Sequence, residues 1–486
     1  MPALPYSRDF MLERMFAADA AFDGLFYTGV TSTGIFCLPS CRARKPLPAH
    51  VAFHATPAQA RAAGLRACRR CHPEAFGAGV PPEEAAFWTA LSGVPVAEVP
   101  GARDLARRLG VGRGALHRLC RDHLQRPPAA WLARERVRLA AGRLLAEPDT
   151  SVAGVAFEAG YGSLSAFGAQ FRRGMGVSPQ AFRQGLAQGG WTLALPGDFR
   201  ALEVRRDLGR DPRSPTAQVQ GQRVTLGWRL PSGARRITLT FSGEEGGTVT
   251  VRAEPGGPLS PADALALHDL TWRALGLSAA GAGPLPAPLP TAALAVPPGL
   301  RVPLVPDLFD GLVWAVVGQQ VTFAHACTLR RRLVERCGAP LGEGLWAPPT
   351  PEAVATLPPA DLRALGLTGA RADLLRRLAG RVARQELNLS ALARGPVGAA
   401  RRTLRAVPGI GPWTAEYVLL RVLGFPDVVP AGDAALAAAL QWAHQLPRRP
   451  DPPQVQALLA PYAPQRSAAV FSLWHHVHPK GAAHDS

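Results

Sequence analysis

The sequence predicts a multidomain, mainly α-helical chain: a small zinc-bound α+β domain, a double helix-turn-helix domain, then an antiparallel α+β segment leading into a helical domain with a glycine hairpin. Three observations predict this. Cys37 and Cys41 form a C-x3-C pair and Cys68 and Cys71 a C-x2-C pair, the grouping that thiolate-bound zinc requires. Apolar residues then recur at helical spacing on either side of two glycine turns. Beyond residue 190 they alternate with the period of strands, and from Asp307 they return to helical spacing.

Composition narrows the function before any motif is read. Lys+Arg 54 against Asp+Glu 36 gives a formal charge of +18, so a polyanionic partner is expected. Lysine occurs only at Lys45 and Lys480. No apolar run is long enough to span a bilayer, and Met1-Pro2-Ala3 leads into no export signal. Seven cysteines in that context point to reduced thiols or metal, and to a cytoplasmic, nucleoid-associated protein with no membrane partner.

Residues 1–78 form the zinc domain. A metal held by four thiolates would contribute on the order of 10 kcal/mol to a domain too small for a large core. From spacing alone, two readings stand: a purely structural zinc, or a zinc that keeps one sulfur nucleophilic. The stretches FDGLFYTGVTSTGIFCLPSCRAR and AAGLRACRRCHPE closely resemble the amino-terminal domain of the Ada family, over nearly all of residues 9–75. That resemblance implies that Cys37 takes a methyl group irreversibly from a DNA phosphotriester, with Cys41, Cys68 and Cys71 as the other zinc ligands. It also places Arg44 and Arg66 at phosphate-contacting positions. Zinc with four thiolates carries two net negative charges, and methylation leaves one. Repulsion of DNA then falls, and Arg42, Arg44, Lys45, Arg66, Arg69 and Arg70 are available to hold phosphates.

Residues 79–186 form the second domain, after a Gly/Pro-rich linker at 76–84. Ala102, Leu105, Ala106 and Leu109 make one helical stripe, Gly110-Val111-Gly112 breaks it, and Arg113 to His123 follows. The pattern repeats with Val152, Val155, Ala156 and Ala159, the Gly160-Tyr161-Gly162 turn, and Ser163 to Arg173. A long helix, Pro128 to Ala146, joins the two units, so two recognition helices are expected in successive major grooves. Fourteen arginines face six acidic residues between Gly101 and Leu186. FEAGYGSLSAFGAQFRRGMGVSPQAFR resembles the AraC-type regulators, which implies promoter DNA and RNA polymerase as partners. Arg113, His117 and Arg121 are the base-facing candidates. The Ada family shares this domain order, but its second transferase motif, Pro-Cys-His-Arg, is absent, so repair of guanine O6 is not expected. Cys120, Cys327 and Cys337 read as small buried apolar residues.

Residues 190–278 read as half-buried antiparallel strands (Val224, Leu226, Trp228 and Leu230; Ile237, Leu239 and Phe241; Val249 and Val251), followed by a helix that Ser260-Pro261 opens. Ala279 to Pro303 reads as a linker, and residues 300–486 as a helical domain. Within it, Leu404 ends a helix, Pro408-Gly409-Ile410-Gly411 turns tightly, and Pro412 opens the next helix. Gly409 and Gly411 allow backbone amides close to a phosphate. Asp433 stands at the mouth of a later helix. Alone it reads as an N-cap; with the hairpin it resembles the helix-hairpin-helix DNA glycosylases, and the α+β segment resembles AlkA among them.

That resemblance implies excision of 3-methyladenine-like bases, with Asp433 stabilising the sugar cation and Trp413 and Tyr417 lining a pocket for cationic purines. Gln320 aligns with the base-flipping wedge. A further pocket aromatic aligns with Gln465, with Tyr462 as a substitute. Trp413 occupies the post-hairpin position where strand-cutting relatives carry lysine, so base removal without lyase activity is expected. Arg330-Arg331-Arg332 reads as a solvated helix face, and His475, His476 and His478 as part of a tail helix. The leading expectation is a monomeric damage sensor, transcriptional activator and glycosylase in one chain. Its rival is a non-enzymatic zinc regulator whose glycosylase half only binds DNA.

Overall fold

A computed structural model describes residues 4, 6–19, 22–74, 81–254, 256–278 and 299–477. Most of the 279–303 linker, part of the 76–84 linker, His478 and Lys480 lie outside the described residues. The chain forms two compact units, one of residues 1–94, 122–124 and 394–411, the other of residues 95–121, 125–393 and 412–486.

In the first unit, α1 (Arg8–Phe16) starts at Ser7, whose hydroxyl accepts the Phe10 amide. Strands β1 (Tyr27–Val30), β2 (Ile35–Cys37), β3 (Val51–His54) and β4 (Arg66–Ala67) form one sheet in the order β3-β1-β2-β4, with α2 (Pro57–Ala62) between β3 and β4. The sheet region packs two small apolar clusters, Tyr27, Phe36, Leu38 and Ala60 in one, Met11, Phe22 and Phe26 in another. Small clusters of this kind gain from a covalent or metal staple. Helix α3 (Pro82–Ser92) belongs to the same unit.

The second unit begins with the two expected helix-turn-helix pairs, α4 (Ala102–Arg108) with α5 (Arg113–Leu119) and α7 (Val152–Glu158) with α8 (Leu164–Met175), on either side of α6 (Pro128–Ala146). Ser151 and Ser163 cap α7 and α8. The turn between them depends on Gly160, at φ +84°, where a Cβ would lie 2.2 Å from the Ala97 carbonyl oxygen. Helix α9 (Pro179–Gln188) follows, and β5 (Gly190–Ala194), α10 (Ala201–Leu208), β6 (Ala217–Gln220), β7 (Arg223–Leu230), β8 (Gly233–Ser242), β9 (Thr248–Glu254) and α11 (Pro261–Ala274) complete an α+β layer. The sheet is antiparallel throughout, in the order β5-β9-β8-β7-β6. The boundary expected between residues 186 and 190 separates no independent cores. One continuous core runs from Val137 to Leu275, and Trp191 stacks on Phe182 at 5.2 Å while donating to its carbonyl.

The remainder is helical, apart from the short pair β10 (Ala339–Pro340) and β11 (Trp346–Ala347): α12 (Leu308–Val317), α13 (Phe323–Cys337), α14 (Pro351–Thr356), α15 (Pro359–Ala364), α16 (Gly369–Ala383), α17 (Leu389–Arg394), α18 (Val397–Arg405), α19 (Pro412–Tyr417), α20 (Ala434–Ala443), α21 (Pro452–Leu459) and α22 (Arg466–Val477). After Tyr417 the chain widens into π-type turns over Val418–Leu423. Among the described residues no helix is long and apolar enough to cross a membrane. One expectation fails on α13. Arg330 is 3% exposed and bonds both oxygens of Asp310, at 2.8 and 2.7 Å, and Thr216 at 2.9 Å. The reason is periodicity: Arg330 falls on the stripe of Ala326, Cys327, Leu333 and Val334, which faces inward.

Candidate functional site

The four cysteines converge because the sheet pairs their carriers. β2 and β4 run parallel, with Phe36 opposite Ala67, so Cys37 at the end of one strand stands beside Cys68 just beyond the other. Asp23 accepts from the amide and hydroxyl of Ser40, fixing the Leu38–Cys41 turn; burial pushes its carboxyl up to about 6. The sulfurs of Cys37, Cys41, Cys68 and Cys71 all lie within 4.8 Å of one another. Tetrahedral zinc with sulfurs at about 2.3 Å needs them about 3.8 Å apart, so the set fits. The Leu38 and Arg70 amides each point at a sulfur, of Cys71 and Cys68, at 3.4 Å. A hydrogen bond from Cys37 draws the Cys71 thiol down to about 5, while that bond, burial and the neighbouring sulfurs push Cys37 up. Four thiols crowded this way are a donor set for a cation.

Arg44 and Arg66 are exposed, as are Arg42, Arg69 and Arg70. Lys45 departs from the expectation that it holds phosphate, since its ammonium donates to the carbonyls of Met15 and Cys41 and closes the fold instead. On α5 and the turn after it, Arg113, His117 and Arg121 are exposed while Leu116 and Leu119 face inward. Cys120 and Cys327 are buried and Cys337 half-buried, as expected of small apolar residues.

Asp433 is the N-cap of α20, and one oxygen accepts the Leu436 amide at 2.7 Å. That same oxygen accepts the Trp474 indole N–H at 3.0 Å, and the other accepts that of Trp413 at 2.7 Å. Trp413 stacks on Tyr417 with centroids 5.5 Å apart, and Tyr417 meets Trp474 at 6.3 Å. The carboxylate and an aromatic wall are thus one hydrogen-bonded assembly, with α20's positive end behind the acid. Trp474 is the residue the sequence reading missed. It lies within α22, whereas Tyr462, the expected substitute for an aromatic at Gln465, is 4% exposed, in the core. The apolar spacing of α22 was the only available signal for it.

Gln320 is exposed and sits at φ +51°, left-handed for a residue with a side chain. Its neighbour Gln319 donates to Thr414 at 3.0 Å and accepts from Arg371, tying this turn to α19 and α16. Arg210 also escaped the sequence reading; its guanidinium stands 5.0 Å from the Trp314 ring. In the first unit the hairpin is closed by Ile410 donating to Val407 at 3.0 Å. Gly409 takes φ +96°, Gly409 and Gly411 are both exposed, and a Cβ on Gly411 would meet nothing within 4 Å.

Three family descriptions match in succession: "Metal binding domain of Ada" over residues 11–74, "Helix-turn-helix domain" over 105–185, and "HhH-GPD superfamily base excision DNA repair protein" over 313–465. A zinc-thiolate domain, paired helix-turn-helix units and a helix-hairpin-helix repair fold therefore share one DNA-binding chain, and Zn2+ is the metal of its cysteine site.

Among curated relatives, the "Probable bifunctional transcriptional activator/DNA repair enzyme AlkA" of Mycobacterium tuberculosis is 31% identical over 489 residues, covering 94% of each chain. The DNA-3-methyladenine glycosylase of Bacillus subtilis is 35% identical over 36% of this chain and 59% of its own. The bifunctional transcriptional activator/DNA repair enzyme Ada of Escherichia coli is 32% identical over 40% of this chain and 53% of its own. The chain belongs to the AlkA family of bifunctional transcriptional activator/DNA repair enzymes.

Proposed function

We propose that the chain senses DNA alkylation, activates transcription and excises alkylated purines, as a DNA-3-methyladenine glycosylase without lyase activity. In this reading it divides into a methyl-acceptor domain (1–78), an AraC-type domain (79–186), an α+β domain (190–278) and a glycosylase domain (300–486). The observation that carries the excision reading is Asp433, held by two indole N–H groups and a helix amide beside stacked rings.

Gly409 and Gly411 take up duplex phosphate; in the second unit Gln320, projecting from its left-handed turn, fills the space that a flipped base leaves. The base lies against Trp413 and Tyr417, whose ring faces favour a cationic purine over its neutral parent. The N-glycosidic bond then breaks, its electron pair leaving with the base, and the sugar cation is stabilised by Asp433 until water adds. No lysine among the described residues of this half offers a Schiff base.

In the sensor reading, bound zinc keeps the cysteine sulfurs as thiolates at neutral pH. Cys37 sulfur attacks the methyl carbon of a phosphotriester; the S–C bond forms, the C–O bond breaks, and the phosphodiester departs as an anion. The cluster loses one negative charge, and Arg44 and Arg66 then hold the backbone while Arg113 reads promoter bases. A monomer acting with RNA polymerase in the cytoplasm is the form we propose.

Incubation with methylated DNA tests both activities together. Free 3-methyladenine that vanishes in Asp433→Asn, and one added methyl group on Cys37 by mass spectrometry, are the expected results. Absence of base release from folded, zinc-loaded protein would favour a regulator whose glycosylase half only binds DNA. Absence of the methyl would make the zinc purely structural.

A further inference from the structure

Helix α18, the first helix of the hairpin motif, presents Gly398, Arg402 and Arg405 on one face, at i, i+4 and i+7. That face is occupied from within its own unit. The Glu84 carboxylate on α3 bonds the Arg402 guanidinium, with the two side chains 4% and 15% exposed. It lies so close to α18 that a Cβ on Gly398 would fall 2.4 Å from Glu84 Oε2, so the absence of a side chain there makes room for the acid. One turn further on, the Arg405 guanidinium lies 3.4 Å from the centroid of Phe22, and Arg405 is 4% exposed. Tyr6 donates to the Arg405 carbonyl at 3.1 Å and packs against Phe10 and Phe22 at 5.0 and 5.6 Å.

The contacts of Glu84 with Gly398 and Arg402, and of Phe22 and Tyr6 with Arg405, join the chain's first ninety-four residues to the helix that leads into Val407–Gly411. A buried guanidinium–carboxylate pair and an arginine over an aromatic ring are costly to desolvate and gain only when both sides are in place. Such contacts belong to a specific interface, where a random encounter of surfaces would leave the charges wet.

We propose that the zinc-bearing half is a built-in docking partner of the glycosylase hairpin, with Glu84 and the box of Tyr6, Phe10 and Phe22 gripping the Gly398–Arg402–Arg405 face of α18. The hairpin and the zinc domain then approach DNA as one body, and Glu84 and Arg402 are positioning residues. This inference rests on the fold alone and stands whether or not Cys37 and Asp433 react as proposed above.

A charge-swap cycle in the full-length, zinc-loaded chain tests it. Glu84→Arg and Arg402→Glu are each expected to speed amide exchange across residues 397–411 by about tenfold or more. Each should also weaken retention of an undamaged duplex several-fold. The double swap is expected to restore both, with zinc content unchanged in all four proteins. Parental exchange across 397–411 in the single variants overturns the proposal, and so does a double variant as impaired as the singles. Should a reversal lose its zinc, Glu84→Gln and Arg402→Gln replace it. A smaller rise of the same sign is then expected, and an unchanged rate again overturns the proposal.

Discussion

Replacing Asp433 by asparagine separates its two duties. The carboxylate accepts three N–H groups, two on one oxygen and one on the other. Asparagine offers one oxygen and one NH2. If the oxygen faces the Leu436 amide and Trp474, the NH2 confronts the Trp413 indole N–H, donor against donor. In the flipped orientation two acceptances are lost. The better arrangement leaves one half-buried donor unpaired, at about 1–3 kcal/mol. The N-cap bond survives, so the helix start is retained. Removing the charge acts on the transition state separately, where one such electrostatic contribution typically accounts for about 2.7–4 kcal/mol, or roughly 100- to 1,000-fold in rate. Single-turnover release of free base from methylated duplex, with thermal unfolding in parallel, reads both quantities. A rate within about tenfold of the parent, in a protein that still binds DNA, would refute the assignment of the sugar cation to Asp433.

Four further outcomes are expected. Trp474→Phe keeps a ring but loses its bond to Asp433, so base release should fall by about 1.5–3 kcal/mol, or roughly 10- to 100-fold, with duplex affinity unchanged; an equal rate would detach Trp474 from catalysis. Zinc extraction should release one ion per chain and make four of the seven cysteines newly reactive to a thiol reagent, and protection of fewer than four beforehand would contradict the ligand set. Arg330→Ala strands Asp310, itself 4% exposed, and should lower unfolding stability by about 3–5 kcal/mol; a loss below about 1 kcal/mol would show the pair to be dispensable. Burial pushes the Glu84 carboxyl up, but His123 and Arg402 pull it down further, leaving it below its ordinary 4.5. Its folded value is thus depressed, and the stability it contributes is present above about pH 4.5 and lost as pH falls through the folded value. Amide protection of residues 397–405, corrected for intrinsic exchange, should decline in that acid range, and Glu84→Gln should abolish the decline.

Local chemistry made much of this molecule legible. Pro128 to Ala146 came out of its apolar spacing, and Ser260-Pro261 placed the start of α11, because caps and prolines act on neighbouring backbone. The cysteine pairs were legible because zinc demands their spacing. What stayed hidden were partners chosen at long range. Trp474 stands forty-one residues beyond Asp433, and no periodicity says which face of α22 meets which acid. Arg330 hid inside a run of three arginines, where composition outweighed the phase that turns the middle of its stripe inward.

The same distinction explains why Asp433 and α18 resist one-line descriptions. An N-cap aspartate is commonplace, and its amide bond to Leu436 satisfies the helix end. The two indoles add what a cap does not need: Trp413 fixes the second oxygen, Trp474 shares the first with the Leu436 amide, and together they bind the acid to the stacked rings. Arg402 and Arg405 are covered likewise by distant partners: Glu84 stands more than three hundred positions away in sequence and Phe22 further still. Buried charge without a nearby partner in sequence implies a distant one in space, because desolvation costs several kcal/mol per ion unless the geometry offsets it. That requirement ties the first ninety-four residues to α18, the helix that leads into the Val407–Gly411 turn of the same unit.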